Sequence, residues 1–214
     1  KALAAIEEGK ISAHLYPDPE ARALRMAASH FFRSSPEHII AGNGSDEIID
    51  LICRAYLTLG EEVIIPSCTF SYYRIASLAC GAEVVTIPMK EHRIDIEGIS
   101  HALSPRTKVV FVANPNNPTG TYLGAGEILS LLGFVPADVL IVVDEAYAAF
   151  ARESDFESAV ELAKTRSNLI TVHTLSKSHG LAGLRVGFGI AAKPIMENLH
   201  RIKPPFNVNS LAQK

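Results

Sequence analysis

A mostly parallel, doubly wound α/β sheet in three layers is the fold this sequence predicts, and three observations predict it. Short β-branched runs alternate along the chain with stretches of helical periodicity, the pattern of an α/β sheet. One run, Val139 to Val143, is apolar throughout, as a strand buried on both faces and central in a parallel sheet has to be. Several strand-like runs end on a polar side chain or a glycine-rich turn, at the edge where open α/β sheets place their ligands. The 214 residues, 48% hydrophobic and 20% charged, suit one large domain, or one domain plus part of another.

In chain order, residues 1 to 10 read as the last turns of a helix ended by Gly9, so the chain is expected to begin inside an element. HLYPDPEARALRMAASHFF has two prolines that stiffen a loop around Tyr16, then helical spacing from Pro19, with Leu24, Ala27, Ala28 and Phe31 on one face. Tyr16 by itself reads as packing. His38 to Ala41 is a short strand running into GNGSDEIIDLICRAYL, whose helix carries Ile48, Ile49, Leu51, Ile52, Ala55 and Tyr56 at helical spacing. The unpaired N–H groups of Gly44, Ser45 and Asp46 at its start can hold a phosphate. Asp46 and Glu47 there also fit plain capping of the helix dipole.

Glu61 to Pro66 is the next strand, then a helix over about 71 to 80 and a strand from Ala82 to Pro88. Phe70, just past a strand end, can stack on a planar ligand or pack in the core. Asp95 to Leu103 is helical, and Lys108 to Ala113 is a strand ending in NPNNPTG. Its X-Pro steps hold Asn114, Asn116 and Asn117 in an extended loop that can aim an amide. Gly126 to Leu132 is a helix, and the strand from Val139 delivers Asp144, an acid that has to be paired or to cap the next segment. A helix is expected from Ser154 to Thr165, strands at 168 to 174 and 185 to 191, and a helix from about Pro194 to Ile202. KPPFNVNSLAQK reads as the start of another helix. A further domain is therefore expected to be entered there and not completed.

The apolar run NLITVHT leads into TLSKSHGLAGLRVG, which puts Lys177 at a strand end among glycines. A lysine walled by apolar residues there loses hydration and offers a neutral amine, which attacks aldehydes. Strand ends supplying Asn117, Asp144 and Lys177, beside a helix N-terminus suited to phosphate, match what pyridoxal phosphate needs. The lysine bonds the aldehyde, the aspartate pairs with the ring nitrogen, Asn117 and Tyr147 bond the phenolic oxygen, and Arg185 pairs with the phosphate.

The motifs YPDP, GNGSDE, NPNNPTG, VVDEAY, TLSKSHGLAGLRVG and PPFNVN, taken in order, resemble the large domain of fold-type-I aminotransferases, and within them the histidinol-phosphate aminotransferases. The resemblance implies Lys177 as the Schiff-base lysine, Asp144 as the pyridinium partner, and Asn117 and Tyr147 at the phenolic oxygen. It implies the backbone of Ser45 and Asp46, with Thr174, Ser176 and Arg185, at the phosphate, and Phe70 against the ring. It also implies a large domain over 1–203, lacking an N-terminal segment, with 204–214 leading toward a smaller C-terminal domain, and a homodimer in which Tyr16 reaches the cofactor phosphate of the neighbouring subunit. The implied reaction moves an amino group between glutamate and imidazole-acetol phosphate, in histidine biosynthesis. Ser178 and His179 depart from the small and aromatic residues usual after the lysine. Threonine-phosphate decarboxylases, aromatic aminotransferases and aminotransferase-like sensor domains share parts of this pattern. Ala182–Gly183 and Pro205–Phe206 favour the aminotransferase over the decarboxylase.

Other classes find no support in composition. A net charge of −3 gives no basic field for nucleic acid or anionic lipid. No apolar run reaches the roughly 18 residues of a membrane span, and KALAAIEEGK has no signal-peptide pattern, so a cytoplasmic location is expected. The 3 cysteines, without a CxxC pair, and the 8 histidines, without HExxH spacing, predict neither disulfides nor a metal site.

Overall fold

The computed structural model describes residues 2–12 and 14–214. Its helices are α1 (Ala2–Gly9), α2 (Arg22–Phe31), α3 (Ser45–Tyr56), α4 (Tyr72–Ala79), α5 (Ile96–Ala102), α6 (Ala125–Phe134), α7 (Val160–Ala163) and α8 (Lys193–Ile202). Its strands are β1 (Ile39–Asn43), β2 (Glu62–Pro66), β3 (Glu83–Ile87), β4 (Thr107–Ala113), β5 (Leu140–Asp144), β6 (Leu169–Thr174) and β7 (Val186–Ile190). They form one seven-stranded sheet in the order β1-β7-β6-β5-β4-β2-β3. β5, the all-apolar run, is the middle strand and is parallel to both neighbours. Only β7 runs against the rest, antiparallel to both β1 and β6.

Period-two alternation of β-branched residues sends successive side chains to opposite faces and so builds two apolar layers. Val63, Val109, Phe111, Val142 and Ile170 face one layer with Ile48, Ile52, Tyr73 and Leu199, from α3, α4 and α8. Ile64, Val110, Val112, Ile141 and Val143 face the other, with Ile99, Ile128, Leu131 and Ala163 of α5, α6 and α7. A third cluster covers β1 and β7 with Ala28 of α2 and with Val208 and Ala212. The expected three-layer sheet is the one observed.

Three elements differ from expectation. α2 begins at Arg22 rather than Pro19, because the Asp18 side chain accepts the Glu20 and Arg22 N–H groups and Ala21 takes a left-handed φ of 44°. Phe31, expected on the buried face of α2, is 71% exposed. The predicted helix 154–165 shrinks to α7 because long-range bonds hold the residues before it. Asp155 accepts the Tyr122 hydroxyl and the Ala125 N–H, while Glu145 accepts the Ser158 hydroxyl and the Ala159 N–H. At the C-terminus, where a helix is expected to start, residues 210–213 form a turn. It is tied back by Asn207 to the Ala41 carbonyl and by Gln213 to that of Asp18.

The strand directions bring the candidate residues together. β1, β2, β4, β5 and β6 all point their carboxyl ends to one edge of the sheet, and antiparallel β7 starts there. The α3 N-terminus, Phe70, Asn117, Asp144, Lys177 and Arg185 therefore converge on that edge.

Candidate active site

A cleft of about 280 Å³ opens at this edge, lined by Ser45, Asp46, Phe70, Asn117, Asp144, Tyr147, Thr174, Ser176, Lys177 and Arg185, with Tyr73, Ala146 and Ala182. Of the residues the sequence singles out for the site, only Tyr16 lies elsewhere. It is 84% exposed and its ring sits 4.8 Å from that of Phe206.

The β1–α3 turn is shaped by its glycines. Gly44 has a φ of 81°, a left-handed conformation that favours glycine, and a Cβ there would run into the Arg185 guanidinium. Gly187 on β7 faces the same turn, and a Cβ on it would strike the backbone of Gly44 and Ser45. Close approach of β7 thus places Arg185 over the first turn of α3, where no side chain caps the helix. Arg185 Nη2 bonds Asp46 Oδ2 at 3.0 Å, and Nη1 donates to the Ala182 carbonyl at 3.2 Å. Thr174 Oγ1 lies 2.9 Å from Ser176 Oγ and accepts the Ser176 N–H at 3.1 Å, fixing the turn after β6. A cation, two hydroxyls and a helix N-terminus in one corner are an anion-binding set.

In the loop after β4 the three asparagines divide their work. Asn114 pairs reciprocally with the Leu123 backbone, its Nδ2 donating to the carbonyl at 3.1 Å and its Oδ1 accepting the N–H at 2.8 Å. Asn116 donates to the Cys68 carbonyl and accepts from the Thr69 hydroxyl. Both are buried and serve the loop itself, while Asn117 lines the cleft.

Asp144 is 5% exposed. Its Oδ2 accepts the Tyr73 hydroxyl at 2.7 Å and its Oδ1 the Ala146 N–H at 3.0 Å. Burial raises its carboxyl above the ordinary range, and the Tyr73 and Ala146 hydrogen bonds oppose that rise. Among the described residues no basic side chain comes within 4.0 Å of it, so its donors are neutral. Tyr73 is absent from the sequence reading. The available signal was a tyrosine on the inward face of an apolar helix, since a buried phenol needs an acceptor.

Lys177 differs from expectation in one respect. It lies in the cleft with Nζ 5.4 Å from the centre of the Tyr147 ring, but it is exposed rather than walled by apolar side chains. The turn that follows β6 faces outward, so Ser178, His179 and Gly180 are exposed as well.

Behind the cleft, Glu145 and His173 come within 3.9 Å, yet they do not form an ion pair. Burial holds the imidazole neutral, with its pKa lowered to about 3, and pushes the Glu145 carboxyl up to about 7. No group of three or more His, Cys, Asp and Glu side chains able to hold a metal occurs among the described residues. No described helix is long and apolar enough to cross a membrane.

The model of the class I and II aminotransferases matches residues 1–214. A histidinol-phosphate aminotransferase of Maricaulis maris is 43% identical over 212 residues, which cover 99% of this chain and 59% of that protein. One from Halalkalibacterium halodurans is 39% identical over 213 residues, covering 100% of this chain and 58% of that protein. Among solved structures, the histidinol-phosphate aminotransferase of Sinorhizobium meliloti in complex with pyridoxal-5'-phosphate superposes with a TM-score of 0.93 at 28% identity, over 99% of this chain and 58% of that one. The L-threonine-O-3-phosphate decarboxylase of Porphyromonas gingivalis superposes with a TM-score of 0.85 at 28% identity, over 99% of this chain and 62% of that one. The chain thus spans less than two thirds of the length of these relatives, and with its whole length matched it belongs to the class I and II aminotransferase family.

Proposed function

We propose that this chain is the cofactor-binding large domain of a pyridoxal 5'-phosphate-dependent histidinol-phosphate:2-oxoglutarate aminotransferase, with residues 204–214 leading toward a smaller C-terminal domain. The observation that carries the reading is the convergence of Lys177, Asp144, Asn117, Tyr147 and Arg185 in one cleft. The donor set fits the cofactor. Asp144, buried among neutral donors, suits a positively charged ring nitrogen, whose charge would offset the cost of burying the carboxylate. The Arg185, Thr174, Ser176 and α3 corner suits a phosphate. Asn117 and Tyr147 suit the phenolic oxygen, Phe70 the ring face, and Lys177 the aldehyde.

When bound, the cofactor supplies an electron-withdrawing ring that stabilises negative charge at the substrate's α-carbon. The side chains do the rest. Asp144, as a carboxylate, would hold a proton on the ring nitrogen. Arg185 and the α3 N-terminus anchor one end of the cleft, which fixes orientation and lowers the entropy cost of reaction. Once a substrate amine has replaced it at the aldehyde, Lys177 Nζ would be a free amine able to take the proton from the substrate α-carbon and to return one, as general base and then general acid. Its exposure to the open cleft lets a substrate amine reach the same place.

The choice of histidinol phosphate rests on the relatives, which bear that name at 39% and 43% identity, and that of glutamate on the resemblance of the motifs. The reading further takes the protein as a cytoplasmic homodimer with Tyr16 reaching the partner's cofactor phosphate. A substrate panel on the whole protein tests the function. Histidinol phosphate with 2-oxoglutarate should be the best pair, and preferential release of carbon dioxide from threonine phosphate would contradict it.

A further inference from the structure

Tyr73 is fully buried, with 0% of its surface exposed, yet it borders the cleft. Its ring stacks on Phe111 of β4, with centroids 4.7 Å apart and planes 6° from parallel. It meets Phe70 edge-on at 5.5 Å and 87°. Its backbone carbonyl accepts the Ser77 hydroxyl at 2.7 Å, within α4. With the ring clamped on one face and the helix fixed behind it, the hydroxyl has one direction to point, and there it donates to Asp144 Oδ2 at 2.7 Å. The Ala146 N–H holds the other oxygen. A carboxylate pinned at both oxygens has lost its torsional freedom.

We propose that Tyr73 is a positioning residue for the aminotransferase, its hydroxyl fixing the orientation in which Asp144 meets the ring nitrogen. This rests on the cofactor reading above. A tyrosine that merely used Asp144 as an acceptor would, when lost, shift the carboxyl titration and the stability but leave kcat of the loaded protein unchanged. A positioning tyrosine stabilises the charged carboxylate against burial and also aims it, so its loss lowers kcat as well, and only while Asp144 is present. The ring and the hydroxyl are separable, because Tyr73→Phe keeps the contacts with Phe111 and Phe70 and removes only the donor.

The test reads Asp144 directly, in cofactor-free protein with ¹³C-labelled aspartate carboxyls, its resonance identified as the one lost in Asp144→Asn. Tyr73→Phe should raise its titration midpoint by about one to two pH units, the size of one hydrogen bond to a charged group. Should that variant not fold, 3-fluorotyrosine at position 73, a stronger donor of the same shape, should move the midpoint the other way. In the loaded whole protein, Tyr73→Phe should lower kcat about tenfold with little change in KM for the amino donor. It should add almost nothing when placed on Asp144→Asn. An unmoved carboxyl titration overturns the proposal, as does an equal loss in both backgrounds. Failure of the cofactor reading would appear separately, as protein that takes up no pyridoxal phosphate at Lys177 while the carboxyl titration still responds.

Discussion

At the scale of residues, the proposed chemistry turns on the buried carboxylate of Asp144. Asp144→Ala removes the buried acid proposed to meet the ring nitrogen, so it should slow the chemical step far more than it weakens cofactor binding. The barrier should rise by about 3–5 kcal/mol, the cost of breaking a buried charge pair. Single-turnover rates check this, and a loss smaller than about tenfold, or 1.4 kcal/mol, would remove Asp144 from the role. Glu145 and His173 give a second, independent prediction. Burial raises Glu145 from 4.5 to about 7, so its contribution to stability, present below the unfolded value, is lost as pH rises toward 7. Burial lowers His173 from 6.5 to about 3, so its contribution, present above the unfolded value, is lost as pH falls toward 3. Between about pH 4.5 and 6.5 the two slopes oppose each other. In Glu145→Gln only the histidine slope remains, and urea-unfolding stability should climb from pH 5 to pH 6.5 more steeply than in the parent. Equal slopes in the two proteins would contradict this.

At the scale of elements, the β1–α3 turn and the start of β7 form one unit whose glycines let Arg185 lie against α3. Gly187→Ala forces a methyl into the backbone of Gly44 and Ser45, and overpacking of this kind costs about 1–3 kcal/mol. Urea unfolding should show that loss, together with weaker cofactor uptake, because the turn that moves is the one proposed to receive the phosphate. Normal uptake in a folded variant would place the phosphate elsewhere. The strands were legible in the sequence because β-branched runs such as KVVFVA and VLIVV can bury both faces only in a sheet. The site was legible because its residues sit within a few positions of strand ends. Tyr73 was not, since its role depends on the contact of α4 with β4 and β5, which no local pattern encodes. Nor was the exposure of Lys177, which is decided by the direction the 175–184 loop takes. The 154–165 stretch misled for a related reason: Ser158, Ala159 and Asp155 bond to residues 13 to 33 positions away in sequence, the start of α6 among them, and those bonds outweigh helix propensity.

At the scale of the molecule, the sheet gathers groups from most of the chain's length to one edge, from the α3 N-terminus to Arg185. The chain covers 59% of the Maricaulis maris relative, so catalysis is expected to need more than these residues. Given pyridoxal phosphate, the 214-residue chain should bind it, yet convert histidinol phosphate at least about a hundredfold more slowly than that relative, since closure around a substrate commonly supplies several kcal/mol. Loss of cofactor absorbance after histidinol phosphate is added measures this, and equal rates would locate the whole substrate site within this chain. The central claim, that the cleft holds pyridoxal phosphate on Lys177, has a more direct test. Borohydride reduction of the cofactor-loaded protein, followed by peptide mapping, should find the pyridoxyl label on Lys177 and lose it in Lys177→Ala. A label on another lysine, or none after incubation with the cofactor, would contradict the account.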